Sequence, residues 1–119
     1  DELSLIKQSL TYLPLSDEKR VKAVTSALQK DVNGILPIAY YANIACVSSR
    51  TLSRLFVREM GMSFSDWRIK LKLLEAIKQL QEKKSVKETA LNLGYDNASS
   101  FIYSFKKHFE KTPKAYISI

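Results

Sequence analysis

ANIACVSSRTLSRLFVREMGMSFSDW, from Ala42 to Trp67, and ALNLGYDNASSFIYSFKKHFEKTPKAY, from Ala90 to Tyr116, are two versions of one pattern. Ala42 matches Ala90, and Ala45-Cys46-Val47-Ser48 matches Leu93-Gly94-Tyr95-Asp96, at an offset of 48. One extra residue then enters the second copy. Leu52, Phe56, Met60, Ser63 and Trp67 match Phe101, Phe105, Phe109, Thr112 and Tyr116 at an offset of 49. Each copy reads as a short helical run, a tight turn with a cap residue, and a second helix with its apolar residues on one side. That is the pattern of a helix-turn-helix, and its duplication points to duplex DNA.

The rest of the chain sets bounds around this pair. Its 119 residues make one domain, or two very small ones sharing a core. A chain of this size buries roughly two thirds of its unfolded surface, enough for a fold without staples. No apolar run approaches the ~20 residues of a membrane span, and no signal peptide is visible. The single cysteine excludes an internal disulfide and any multi-cysteine metal site, and a reducing, cytoplasmic setting is expected. The first residue is Asp1 rather than methionine, which suggests a piece of a longer protein.

The net charge of +7 is unevenly placed. Residues 1–48 carry five basic and five acidic groups, whereas residues 49–119 carry 14 basic and 7 acidic groups, so the whole excess lies in the second stretch. It begins where the first candidate recognition helix begins. A basic excess alone describes a solvated face; one that coincides with the repeat describes a polyanion partner.

The periodicity predicts an all-α chain, with three glycines and three prolines as its main interruptions. Leu3, Ile6, Leu10 and Leu13 suggest a short amphipathic helix over 2–13, ended by Pro14. Ser16 is the expected N-cap of the next helix, which buries Val21, Val24 and Leu28 and stops before Asn33-Gly34. Pro37 opens a helix to about Ala45, Ser48 caps one from Ser49 to Met60, and Gly61 ends it. A connecting helix runs from about Ser63 to Lys83, with Phe64, Trp67, Leu71, Leu74, Ile77 and Leu80 on its buried stripe. Val86 to Leu93, a Gly94-Tyr95 turn, a helix capped by Asp96 or Asn97 and reaching Phe109, and a last turn from Pro113 complete the chain. The organisation expected is a leading segment over 1–15 and a domain over 16–119. Within it the first helix-turn-helix spans about 38–60, the connecting helix about 63–83, and the second unit about 86–109.

A recognition helix needs an apolar side that fixes its angle and a polar side slim enough for a major groove about 12 Å wide. In the first unit Leu52, Leu55 and Phe56 supply the apolar side. Arg50, Ser53, Arg54 and Val57 form the other at helical spacing. Arginine can donate two parallel hydrogen bonds to guanine, and Ser53 can bond several bases. Ser49 and Thr51 lie at the helix start, within reach of phosphate oxygens. In the second unit Phe101, Phe105 and Phe109 face inward, and Ala98, Ser99, Ile102, Tyr103 and Lys106 face outward. That stripe holds few donors: Ala98 and Ile102 suit thymine methyl groups, and Tyr103 suits a phosphate or base edge. The first helix is therefore expected to supply most hydrogen-bonded discrimination, and the second apolar contacts and shape readout.

Lys106, Lys107, Lys111 and Lys114 around the second recognition helix, and Arg68, Lys70 and Lys72 after the first, are candidate phosphate contacts, each weighed against an ordinary solvated charge. A connecting helix of about twenty residues spans about 30 Å. Successive major-groove segments on one face of B-DNA lie about 34 Å apart, so two units on such a helix suit two consecutive turns.

These residues carry a family resemblance. Residues 17–118 resemble the DNA-binding domain of AraC/XylS-type transcription regulators. The similarity rests on Ala45-Cys46-Val47-Ser48-Ser49-Arg50-Thr51-Leu52-Ser53-Arg54-Leu55-Phe56 and Glu59-Met60-Gly61-Met62-Ser63-Phe64. In the second half it rests on Ala90-Leu91-Asn92-Leu93-Gly94-Tyr95-Asp96-Asn97, Phe101-Ile102-Tyr103-Ser104-Phe105 and Thr112-Pro113-Lys114-Ala115-Tyr116. The resemblance implies a seven-helix, bundle-like domain with two helix-turn-helix units joined by a long central helix. It implies binding to double-stranded promoter DNA, and partners such as RNA polymerase or an effector-binding and dimerisation domain. It places base contacts at Ser49, Arg50, Ser53 and Arg54, then at Ala98, Ser99, Ile102 and Tyr103. The stretch from Gly61 to Arg68 looks most like a branch with an N-terminal cupin-type effector domain, which would make residues 2–13 a linker or that domain's last helix. Two positions depart from the family. Cys46 stands where the first turn usually has glycine, predicting left-handed strain of roughly 1–2 kcal/mol, and Glu110 stands where glycine often follows the second recognition helix.

No cofactor, metal or catalytic set is expected. Cys46 is read as a small buried residue, with a redox sensor set aside. His108 is the only histidine and reads as a helix-end packing or phosphate-side residue. An enzyme role is not expected; the alternative is a DNA-targeting module of a larger enzyme, such as a DNA-repair protein. A protein-interaction or membrane-surface domain is a third class, distinguished by the absence of salt-sensitive promoter binding.

Overall fold

A computed structural model describes residues 13–117. The helix proposed over 2–13 lies outside them, apart from Leu13, which is not helical. Among the described residues there are seven helices and no strand: α1 Lys19–Lys30, α2 Ile38–Ile44, α3 Ser49–Met60, α4 Phe64–Gln81, α5 Val86–Asn92, α6 Ala98–Phe109 and α7 Pro113–Ile117. Two compact units divide the chain within α4, between Leu71 and Lys72. None of these helices is long and apolar enough to cross a membrane.

The first unit is built on α1, α2, α3 and the first half of α4. Val21, Val24 and Leu28 of α1 meet Tyr41, Ala42, Leu52, Leu55, Phe56, Phe64 and Trp67 in one buried cluster. Its rings interlock edge to face: Phe56 lies 5.4 Å from Phe64 and 6.1 Å from Trp67, in the T-shaped geometry the aromatic quadrupole favours. Trp67 donates its indole N–H to the Pro14 carbonyl at 2.8 Å, so this buried polar atom is satisfied. In the second unit Leu73, Ala76, Ile77 and Leu80 of α4 are buried, as are Ala90, Leu93, Phe101, Phe105, Phe109 and Tyr116. Phe105 is the hub of its rings, 5.9 Å from Phe101, 4.8 Å from Phe109 and 5.5 Å from Tyr116.

The hydrogen bonds restate the repeat and move its insertion. Val47 N–H donates to Ala42 O and Tyr95 N–H to Ala90 O, both at 3.0 Å and 48 residues apart. The caps follow the other offset. Ser48 Oγ accepts from Thr51 N–H at 3.1 Å, and Asn97 Oδ1 from Ser100 N–H at 2.8 Å, 49 residues on. Ser48 therefore corresponds to Asn97 rather than Asp96, and Asp96 is the extra residue. Ser63 and Thr112 continue the series, each accepting from the backbone N–H three residues later, that of Asp66 or Ala115.

Three other expectations are corrected. Ser16 does not cap α1; Glu18 does, accepting from Arg20 N–H at 2.6 Å. Ser16 Oγ instead accepts from Glu18 N–H and donates to Glu59 at the end of α3. The Arg20 guanidinium completes the first contact by holding the Glu18 carboxyl below its usual range. The buried stripe of α4 is not the single one expected: Leu73 and Ala76 are enclosed where Leu71 and Leu74 are only half-buried. One helix serves two cores in succession, so its buried side changes along its length. Finally, Cys46 is exposed, because the turn between α2 and α3 leaves its side chain outside the core.

That turn is left-handed at Cys46 (φ 58°), as is the matching Gly94 (φ 85°). The ends of the recognition helices match too, Gly61 at 72° and Glu110 at 62°. A Cβ in this region meets the carbonyl oxygen, costing roughly 1–2 kcal/mol, partly offset by the smaller unfolded-state entropy of a non-glycine residue. Cys46→Gly and Glu110→Gly are each expected to raise stability by up to about 1 kcal/mol, read as a higher urea midpoint with an unchanged slope.

Candidate nucleic-acid interface

The outward side of α3 is set by what its inward side buries. Leu52, Leu55, Phe56 and Met60 are enclosed, which turns Arg50, Ser53, Arg54 and Val57 to the exterior; all four are exposed, Val57 at 57%. Ser49 and Thr51 at the helix start are half-buried. Ser48 Oγ also lies 3.0 Å from Thr51 Oγ1, in a geometry where Ser48 donates. No acidic residue stands in the first turn of α3, so no carboxylate of that turn offsets the positive end of its dipole.

The matching helix of the second unit, α6, offers a different surface. Phe101, Phe105 and Phe109 are enclosed, Ser99 and Tyr103 are exposed, and Ala98 and Ile102 are half-buried. Tyr103 stands out at 72% exposure, with its hydroxyl available to a partner. Behind it, Tyr95 donates to Ser104 Oγ at 3.2 Å, and burial pushes the Tyr95 phenol above its ordinary pKa. The structure thus brings the expected residues onto two helix faces, an arginine-serine face on α3 and an apolar-hydroxyl face on α6.

The candidate phosphate contacts divide. Lys106, Lys107, Lys111 and Lys114 are exposed, and Lys106 and Lys107 also complement the negative end of α6. Lys70 is half-buried, and burial pulls its pKa below the ordinary lysine value. Lys72 places its ammonium 5.2 Å from the centre of the Tyr95 ring. Arg68 is committed elsewhere: its guanidinium donates to the backbone carbonyls of Gly34 and Leu36 and lies over Tyr41 and Phe64. The sequence carries no signal for that bracket, because carbonyls have no side-chain identity and lie over thirty residues away. Beside it a groove of about 450 Å³ runs between the loop at Ile35–Pro37 and the Ser53–Val57 side of α3. Among the described residues no group of three His, Cys, Asp or Glu side chains is placed to hold a metal.

Two helix-turn-helix units, each with one face of its second helix turned outward, define a DNA-binding domain, and comparison with known proteins agrees. The helix-turn-helix domain family matches residues 41–118. The chain is 34% identical to the HTH-type transcriptional regulator NimR of Escherichia coli over 99% of its length, and spans 43% of that relative. It superposes on a Chromobacterium violaceum transcriptional regulator, described as of AraC-type DNA-binding domain-containing proteins, with a TM-score of 0.77. That match has 26% identity over 83% of this chain and 89% of the other. The DNA-binding domain of AdpA, solved in complex with a target DNA, matches at a TM-score of 0.68 with 25% identity, over 80% of this chain and 86% of that one. The chain belongs to the AraC-type helix-turn-helix family and matches its DNA-binding domain. These relatives are regulators and lend no support to the DNA-repair alternative.

Proposed function

We propose that this chain reads two adjacent major-groove segments of promoter DNA, with unequal chemistry in the two. The observation that carries the reading is the exposed Arg50–Ser53–Arg54 face on a helix whose other side is locked into an aromatic core. Arg50 and Arg54 serve as bidentate guanine readers, with Ser49 and Ser53 beside them. Ala98, Ser99, Ile102 and Tyr103 supply methyl contacts and one hydroxyl to the second segment. Thr51, Lys106, Lys107, Lys111 and Lys114 anchor the backbone, with smaller contributions from Lys70 and Lys72. An effector-binding domain of the cupin type, and contact with RNA polymerase, complete the proposal for a longer protein in which this chain is the promoter-reading part; the chain spans 43% of the length of NimR.

Selection from random duplex DNA at two salt concentrations tests the reading. The expected product is a site with two half-sites about one turn apart, one rich in hydrogen-bonded discrimination and the other tolerant. Log affinity should fall with log salt by about 0.9 per phosphate neutralised. Enrichment of no sequence, or equally strict readout in both halves, rejects it.

A further inference from the structure

Arg68 makes contacts that the charge pattern alone does not predict. It sits in the first turns of α4. One terminal nitrogen donates to Leu36 O and the other to Gly34 O, while its central carbon lies 5.4 Å from the Tyr41 ring centre and 5.7 Å from that of Phe64. We infer that Arg68 is a positioning residue, a fork that holds the 34–37 loop and so sets the angle at which α2 and α3 are presented to DNA, and that it contacts no phosphate itself.

The loop needs such a fork. Ile35 is 88% exposed and Leu36 38%, so apolar burial does not hold it. Pro37 starts α2 without a side-chain cap, which leaves the entry angle of α2 to the loop before it. The α2 helix packs directly on α3, and the groove beside Arg68 is walled by Ile35, Leu36, Ser53 and Val57, so loop and recognition face share one surface. Two neighbouring carbonyls are a target for two parallel N–H vectors. A guanidinium supplies them in one plane, stacked on rings; an ammonium has neither the fork nor the plane. The second unit has no equivalent: the position 49 residues after Arg68 is Ile117, so the device belongs to the hydrogen-bonding half alone.

This rests on the DNA reading proposed above, and Arg68→Lys and Arg68→Gln separate the two. A phosphate contact tolerates lysine; a fork does not. Both variants are expected to bind the selected site about tenfold more weakly, with selectivity lost in the first half-site and the salt slope unchanged. Wild-type affinity in Arg68→Lys overturns the inference, as does a slope lowered by about 0.9 in Arg68→Gln. Far-UV circular dichroism checks the fold of each, and if Arg68→Gln unfolds, Arg68→Lys decides. A measurement without DNA stands beside these. The Tyr40 amide, bonded to Pro37 O at 3.0 Å, should exchange its hydrogen faster in Arg68→Lys than in wild type. Unchanged exchange overturns the fork even if no duplex is enriched; failure of wild-type protein to bind DNA, with exchange altered, overturns the DNA reading alone.

Discussion

Phe105→Ala is expected to remove about 3–5 kcal/mol of folding stability, a large share of what a domain of this size possesses. Phe105 is fully enclosed and touches three other rings, so its loss empties the centre of the second unit. The functional consequence runs through α6, whose outer face is aimed by the aromatic side opposite. Thermal melting should show a lower midpoint. Chemical footprinting at low temperature should lose protection over the tolerant half-site first. A variant that melts like wild type would show that Phe105 fills less of the core than its surroundings indicate.

The second large effect concerns affinity rather than stability. Arg50→Ala and Arg54→Ala should each cost about 1–3 kcal/mol of binding, concentrated at one base pair each, because a bidentate arginine contact is both an attraction and a discrimination. Both side chains are exposed and no ion pair is formed by either among the described residues, so their removal should leave melting nearly unchanged. Full binding isotherms against the selected site and its single-base variants check this. Undiminished affinity in both variants would remove α3 from base readout.

The parts of this fold legible in the sequence are those that burial dictates. Leu52 and Phe101, Phe56 and Phe105, Met60 and Phe109, and Trp67 and Tyr116 pair off because each must fill the same place in a similar core, and periodicity records that demand. Cap residues were nearly as legible: Ser48 and Gly61 do what short polar and flexible residues do at helix ends. What escaped depends on partners far away in the chain. Ser16 has the chemistry of a cap but meets Glu59, 43 residues on. The α4 stripe misled because a helix shared by two cores lacks one continuous buried side. Arg68 reads from sequence as a candidate phosphate contact, because nothing local distinguishes a guanidinium aimed outward from one aimed at carbonyls. The recognition faces were legible as surfaces, since an exposed stripe is the complement of a buried one. Which bases they meet is a property of the pair, protein and DNA, and is written in neither half alone.

Trp67, buried against Pro14, has an optical consequence. It is the chain's single tryptophan, fully enclosed in the unit over 13–71, and its counterpart in the other unit is Tyr116. The two matching positions therefore carry different chromophores, an indole in one unit and a phenol in the other. Indole emission watches the arginine-bearing half by itself, while helical ellipticity watches both. The molecule thus carries its own label for asking whether its halves lose order together or in turn.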